Sequence, residues 1–219
     1  MAPQLPKPLL RGWIHAGVFP LACAAGIVLV ALAPTDKARL GATVFAATAA
    51  LLFGTSAVYH RGRWTPRVHA LLKRLDHANI FLIIAGTYTP FALLLLRGHS
   101  ARTLLAIVWG GAVAGVLFRV CWVGAPRWLY TPVYVALGWV AVFYFGPFLH
   151  RGGVAVVSLI AAGGLLYTLG AVVYGTRRPD PSPRWFGFHE VFHVFTVAGY
   201  VVHYVAASLA IYRAVAPVL

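Results

Sequence analysis

Long apolar stretches alternate with short polar ones along the whole chain, and each apolar stretch approaches the roughly 20 residues that a helix needs to cross a bilayer. The pattern predicts seven helices, near Ile14 to Ala33, Leu40 to Tyr59, Ala78 to Leu96, Thr103 to Val123, Leu129 to Leu149, Val154 to Tyr174 and His189 to Tyr212. The connections carry breakers or charges: Pro34-Thr35-Asp36-Lys37, the basic segment Arg61 to Arg74, Arg97-Gly98, Gly124-Ala125-Pro126-Arg127, Arg151-Gly152-Gly153, and Arg177 to Pro183. None has the length of an interdomain linker, so residues 1–219 are expected to form a single domain, an all-α membrane protein built as a seven-transmembrane helix bundle. A closed barrel would instead show alternating segments of about ten residues.

Composition agrees with that pattern. Of 219 residues, 61% are hydrophobic and 10% charged, against about 25% charged in a soluble domain. The net charge of +14 would suggest nucleic acid in a soluble protein, but here the Lys and Arg sit in short loops, where they orient the chain. Nucleic acid is therefore not an expected partner, and membrane lipids are. The amino terminus and the second, fourth and sixth loops hold twelve of these cations, Lys7 and Arg11 among them, and the opposite side holds six. This excess predicts a cytoplasmic amino terminus and, after seven crossings, a carboxyl terminus outside. Lys7 and Arg11 before the first apolar block, with Ala31-Leu32-Ala33 after it, also resemble a signal peptide, but the block is long enough to span. Cys23 and Cys121 lie far apart and form no metal-type pair or disulfide framework. The glycines Gly110-Gly111, Gly115, Gly163-Gly164 and Gly170 fit either close helix packing or the ordinary frequency of glycine in membrane helices.

Four acidic residues exist: Asp36, Asp76, Asp180 and Glu190. Asp36 and Asp180 read as solvated turn residues. Asp76 and Glu190 stand at helix ends, where ionisable groups are costly and so are functional candidates. His189-Glu190-Val191-Phe192-His193 opens the last helix, and its two histidines, four residues apart, share one face and can both reach a zinc ion at about 2.0 to 2.1 Å. The second helix closes Ser56-Ala57-Val58-Tyr59-His60, with Ser56 and His60 on one face, and the third opens at Asp76-His77-Ala78-Asn79. By the charge count all three clusters belong to the same membrane face. A single site of His60, His189 and His193 with Asp76 nearby is therefore expected, with a fourth coordination position open, as in catalytic zinc.

Blander readings exist for each residue. Any one of the three histidines alone could be interfacial. Asp76 could cap the third helix or pair with Lys73 and Arg74, and Ser56 could bond back to its own helix. His15, His69, His77, His99, His150 and His203 read as packing or interfacial residues. Trp64, Trp128, Tyr130 and Trp185 read as an aromatic belt, and Arg119 as a cation that snorkels to the interface.

Three blocks taken together, Ser56 to His60, Asp76 to Asn79 continuing through Ala85-Gly86-Thr87-Tyr88-Thr89-Pro90, and His189 to His193, resemble the hemolysin III family. That family is the bacterial branch of the progestin and adipoQ (adiponectin) receptor superfamily, and the likeness covers nearly the whole chain in block order. The resemblance implies a multi-pass protein of the bacterial inner membrane, with zinc held by His60, His189 and His193. It further implies that Asp76 matches the acid that holds the water of the zinc site, and Ser56 a neighbouring polar residue. A relation to alkaline ceramidases suggests hydrolysis of a lipid amide or ester in membrane lipid homeostasis, with Asp76 as base and Ser56 at the developing oxyanion. Two alternatives stand beside it. One is a zinc-stapled protein that senses or adjusts membrane order and is haemolytic when overproduced. The other is an intramembrane metalloprotease using His189-Glu190-x-x-His193 with Glu190 as base. A transporter lacks support, since no broken helix pair or midplane charge chain is evident. The sequence does not speak to oligomeric state.

Overall fold

The computed structural model describes residues 8–122 and 124–214; Lys7 and the predicted helix end at Val123 lie outside them. Seven α-helices follow one another: α1 Trp13–Ala31, α2 Asp36–Arg61, α3 Pro66–Leu95, α4 Gly98–Cys121, α5 Arg127–Gly138, α6 Phe145–Thr176 and α7 Phe188–Tyr212, with a 3-10 stretch Trp139–Tyr144 joining α5 to α6. Among the described residues, six helical spans can cross a membrane by length and apolar composition, Arg127–Thr176 counting as a single run of 50 residues.

That run departs from the expected pair of separate helices, yet it is not straight. Tyr130 and Tyr174 bring their hydroxyls to 2.9 Å, and Trp139 donates from Nε1 to Thr168 Oγ1 at 2.9 Å. A straight helix would hold the tyrosines about 65 Å apart. The chain turns back at Gly153, whose φ of 76° and ψ of 173° are non-helical. A glycine reaches this left-handed region without the steric cost that a Cβ imposes.

The third helix starts twelve residues before the expected Ala78. Thr65 accepts a hydrogen bond from Val68 N at 3.5 Å and Pro66 takes the first helical position, a start signal that the run of basic residues obscured. Arg67, Lys73 and Arg74 thus lie on a helical extension rather than in a loop. Asp76 is inside α3, which removes the reading of Asp76 as a helix cap.

Around a core of buried apolar residues such as Phe45, Phe53 and Phe81, large apolar side chains also cover the outside, and several polar groups lie inside. Leu21, Ile27, Phe143 and Val154 are exposed, while His15, Ser56, His77, Asn79, Arg119, Glu190, His193 and His203 are buried. Such a distribution suits a lipid surround, in which polar groups must find partners inside the bundle. Asn79 crosses from α3 to α2, donating to Leu51 O at 2.9 Å and Thr55 Oγ1 at 3.0 Å. Gly86 stands so close to Thr48 that a Cβ there would lie 2.0 Å from its Oγ1, and this sets α3 tightly on α2. Tyr88 donates to Gly138 O at 2.5 Å and accepts from Ala141 N at 2.7 Å, pinning the 3-10 stretch. Of the predicted close-packing glycines, Gly111, Gly115, Gly163 and Gly170 face Leu137, Phe81, His203 and Phe195, whereas Gly110 and Gly164 face open space. Both cysteines are free.

A candidate metal centre at the head of an apolar cavity

The end of α2 and the start of α7 meet at one end of the bundle, and α3 passes beside them. His60, His189 and His193 each present a ligand atom there, all within 4.8 Å of one another. The Nε2 atoms of His60 and His189 are 3.3 Å apart, which matches the separation of about 3.3 Å expected for two nitrogens on one tetrahedral ion at 2.0 to 2.1 Å. His193 is buried, and the other two are partly so. An all-imidazole set of this spacing suits a borderline-soft divalent cation rather than calcium or magnesium.

Asp76 completes the polar group, its Oδ2 lying 3.9 Å from His60 Nε2 and its carboxylate hydrogen-bonded by Ser56. Ser56 is buried beside Asp76. All five residues expected from the sequence are therefore gathered. Asp76 is not paired with Lys73 or Arg74 in any ion pair among the described residues.

Glu190 has a different occupation. It is fully buried, forms an ion pair with Arg11, and accepts from Gly187 N at 2.9 Å at the start of α7. A carboxylate committed to a guanidinium and to a helix amino terminus stabilises the fold; it is not the poised base that a metalloprotease needs. Asp180 is exposed, as expected, and its side chain accepts from Phe188 N at 2.8 Å at the start of the same helix.

Two contributors were missed in the sequence. His15 on α1 is buried and stacks on His193, with 3.8 Å between ring centroids and 9° between planes; both its ring nitrogens lack hydrogen-bond partners. Parallel rings at that spacing cannot share one in-plane ion, so His15 supports His193 rather than joining the ligand set. Gly12 passes over His60 with φ 81°, and a Cβ there would lie 2.5 Å from His60 Cβ. With Arg11 on Glu190 and Arg61 4.0 Å over the Trp13 ring, the start of α1 closes the site from above. The only hint in the sequence was the run Arg11-Gly12-Trp13-x-His15, which has no periodic partner.

Further corrections concern the polar residues behind the site. Tyr130 is buried, not part of an interfacial belt, whereas Trp64, Trp128 and Trp185 are exposed as expected. Arg119 does not snorkel: it is 1% exposed and lies 4.3 Å over the Tyr130 ring. His77 binds Lys73 O at 2.7 Å and Tyr174 OH at 3.3 Å, and His203 binds Ile160 O at 3.1 Å.

Below the histidines opens a cavity of about 140 Å³ that runs from Ser56, Asp76 and His193 down to Phe91, Phe148 and Ile160. Along α3 its lining extends from Asp76 to Phe91, about 22 Å at 1.5 Å per residue. Asp76, His189 and His193 stand at one end, and the surface beyond them is chiefly apolar, with Thr87, Thr168, Thr196 and His203 interspersed.

Residues 3–204 match the protein family described as Haemolysin-III related. The chain is 34% identical over 165 residues to Hemolysin-3 of Bacillus cereus, covering 75% of this chain and 72% of that one. It is 33% identical over 157 residues to the Hemolysin-3 homolog of Bacillus subtilis (strain 168), covering 72% and 70%. A Heptahelical transmembrane protein ADIPOR2 of Oryza sativa subsp. japonica is 32% identical over 163 residues, covering 65% and 69%. The family match over most of the chain, two similar bacterial relatives and the apolar helical bundle agree, and the chain belongs to the Haemolysin-III related family of multi-pass membrane proteins.

Proposed function

We propose that this protein is a zinc-dependent hydrolase of the bacterial inner membrane that cleaves a lipid amide or ester and so adjusts membrane lipid composition. The observation that carries this reading is the juxtaposition of three convergent imidazoles and a carboxylate with the polar end of an apolar cavity.

The bundle crosses the membrane seven times in this reading, the Arg127–Thr176 run folding into two spans at Gly153. The basic end, with His60 and Asp76, faces the cytoplasm, consistent with the excess of Lys and Arg at that end.

His60, His189 and His193 are the residues that would hold zinc, which when bound supplies a Lewis acid for the carbonyl and lowers the pKa of a water toward about 7. Asp76 stands beside the imidazoles to take the proton of the attacking water, and Ser56 holds that carboxylate in place. The cavity below takes the acyl chain, and a length of about 22 Å suits a long one. His15 and Gly12, covering the ligands, exclude bulk water from the cytoplasmic side.

The test is to incubate purified, zinc-loaded protein with a panel of N-acyl and O-acyl lipids and measure released fatty acid. Turnover that Asp76→Asn abolishes while zinc is retained supports the reading. Retained zinc with no turnover of any lipid in the panel would reassign the site to a structural staple joining α2 and α7.

A further inference from the structure

We infer that Arg119 and Arg127 form a binding site for a phosphate-type oxyanion at the basic end of the bundle, separate from the histidine cluster. Arg119 is 1% exposed, the largest fully buried side chain among the described residues. Its Nη1 reaches Trp122 O only at 3.4 Å, a long contact for an N–H donor, and its buried Nε has no partner. Arg127 lies 4.6 Å from the Tyr174 ring and 5.4 Å from that of Phe188, and its buried Nη1 also has no partner. The rings beneath the two guanidiniums belong to one unit, since Tyr130 and Tyr174 share a hydrogen bond of 2.9 Å.

Among the described residues no carboxylate forms an ion pair with either arginine. The chain has four acidic residues, and each has another partner: Asp36 with Arg39 at the opposite end, Asp76 with Ser56 and His60, Asp180 with Phe188 N, and Glu190 with Arg11. Stacking on tyrosine offsets part of the cost of a buried guanidinium but leaves Arg119 Nε and Arg127 Nη1 without acceptors. Those donors form a planar fork that matches the oxygens of phosphate. Trp122 just after α4 and Trp128 at the start of α5 are exposed, as tryptophans at headgroup depth are. The phosphate group of an anionic lipid and free inorganic phosphate both have the required chemistry.

The experiment is thermal unfolding of the full-length protein. One arm titrates inorganic phosphate against chloride at equal ionic strength in detergent, and the other compares vesicles of phosphatidylcholine with and without phosphatidylglycerol. A saturable rise in Tm in either arm is expected; a rise in both assigns the free anion as sufficient, and a rise with phosphatidylglycerol alone assigns the lipid headgroup. Arg119→Gln and Arg127→Gln should each weaken the apparent affinity at least tenfold, while Arg39→Gln leaves it unchanged. Arg127 is only partly buried, so its variant reads the site even where Arg119→Gln fails to fold. No rise in either arm, or an equal rise in Arg127→Gln and the parent protein, overturns the inference. Zinc content does not enter these readouts, so the outcome is independent of the hydrolase reading.

Discussion

The imidazole of His15 lies flat on that of His193, with ring centroids 3.8 Å apart and planes 9° from parallel. A residue on the first helix thereby fixes the plane in which a ligand of the last helix can present its nitrogen. Groups that orient metal ligands commonly change metal affinity 10- to 100-fold when removed. His15→Ala should weaken metal binding by a factor in that range, and His15→Phe, which keeps a flat ring, should weaken it less. Competition with a chelator of known affinity measures both.

Gly12 holds φ 81° where a Cβ would meet His60 Cβ at 2.5 Å. Gly12→Ala should cost about 1 to 2 kcal/mol from the left-handed backbone alone, and more from displacing His60. A lowered Tm together with weakened metal binding is expected, whereas Gly17→Ala, inside α1 at a position with open space around it, should lower neither.

Glu190 is buried against Arg11, so removing one partner strands the other. Arg11→Met should destabilise the fold by about 3 to 5 kcal/mol, and adding Glu190→Gln should recover part of that loss. Glu190→Gln alone should keep the metal. Thermal unfolding beside metal analysis checks each outcome; loss of turnover in a stable, metal-loaded Glu190→Gln protein would instead make Glu190 a base.

Metal taken up by histidines from α2 and α7 stabilises only the folded bundle. At a free metal concentration 100-fold above Kd the gain is about 2.7 kcal/mol. Chelation should therefore lower Tm in the parent protein and leave His189→Ala unchanged.

The parts of this molecule that were legible from the sequence are those with a period or a motif. The apolar spans follow from length and composition, and His189 and His193 from their four-residue spacing. His60 and Asp76 followed from their place at helix ends on one predicted face. What stayed hidden depends on contacts between distant segments. His15 sits singly in an apolar helix, and nothing near it in sequence shows that His193 packs on its ring. The start of α3 was masked because Arg67, Lys73 and Arg74 look like a solvated loop, although Thr65-Pro66 is a helix start. Tyr130 and Arg119 occupy positions typical of the interface but face each other inside the bundle. The Arg151-Gly152-Gly153 break divides the run from Arg127 to Thr176 where Gly153 is non-helical, while the 3-10 stretch inside it leaves no mark in the apolar pattern.

The central claim is that imidazoles from two helices hold one metal ion, and metal stoichiometry of the purified protein tests it most directly. One zinc per chain is predicted, lost in both His60→Ala and His193→Ala and kept in His99→Ala. Equal metal content in all four proteins, or none in the parent protein after zinc loading, would contradict it.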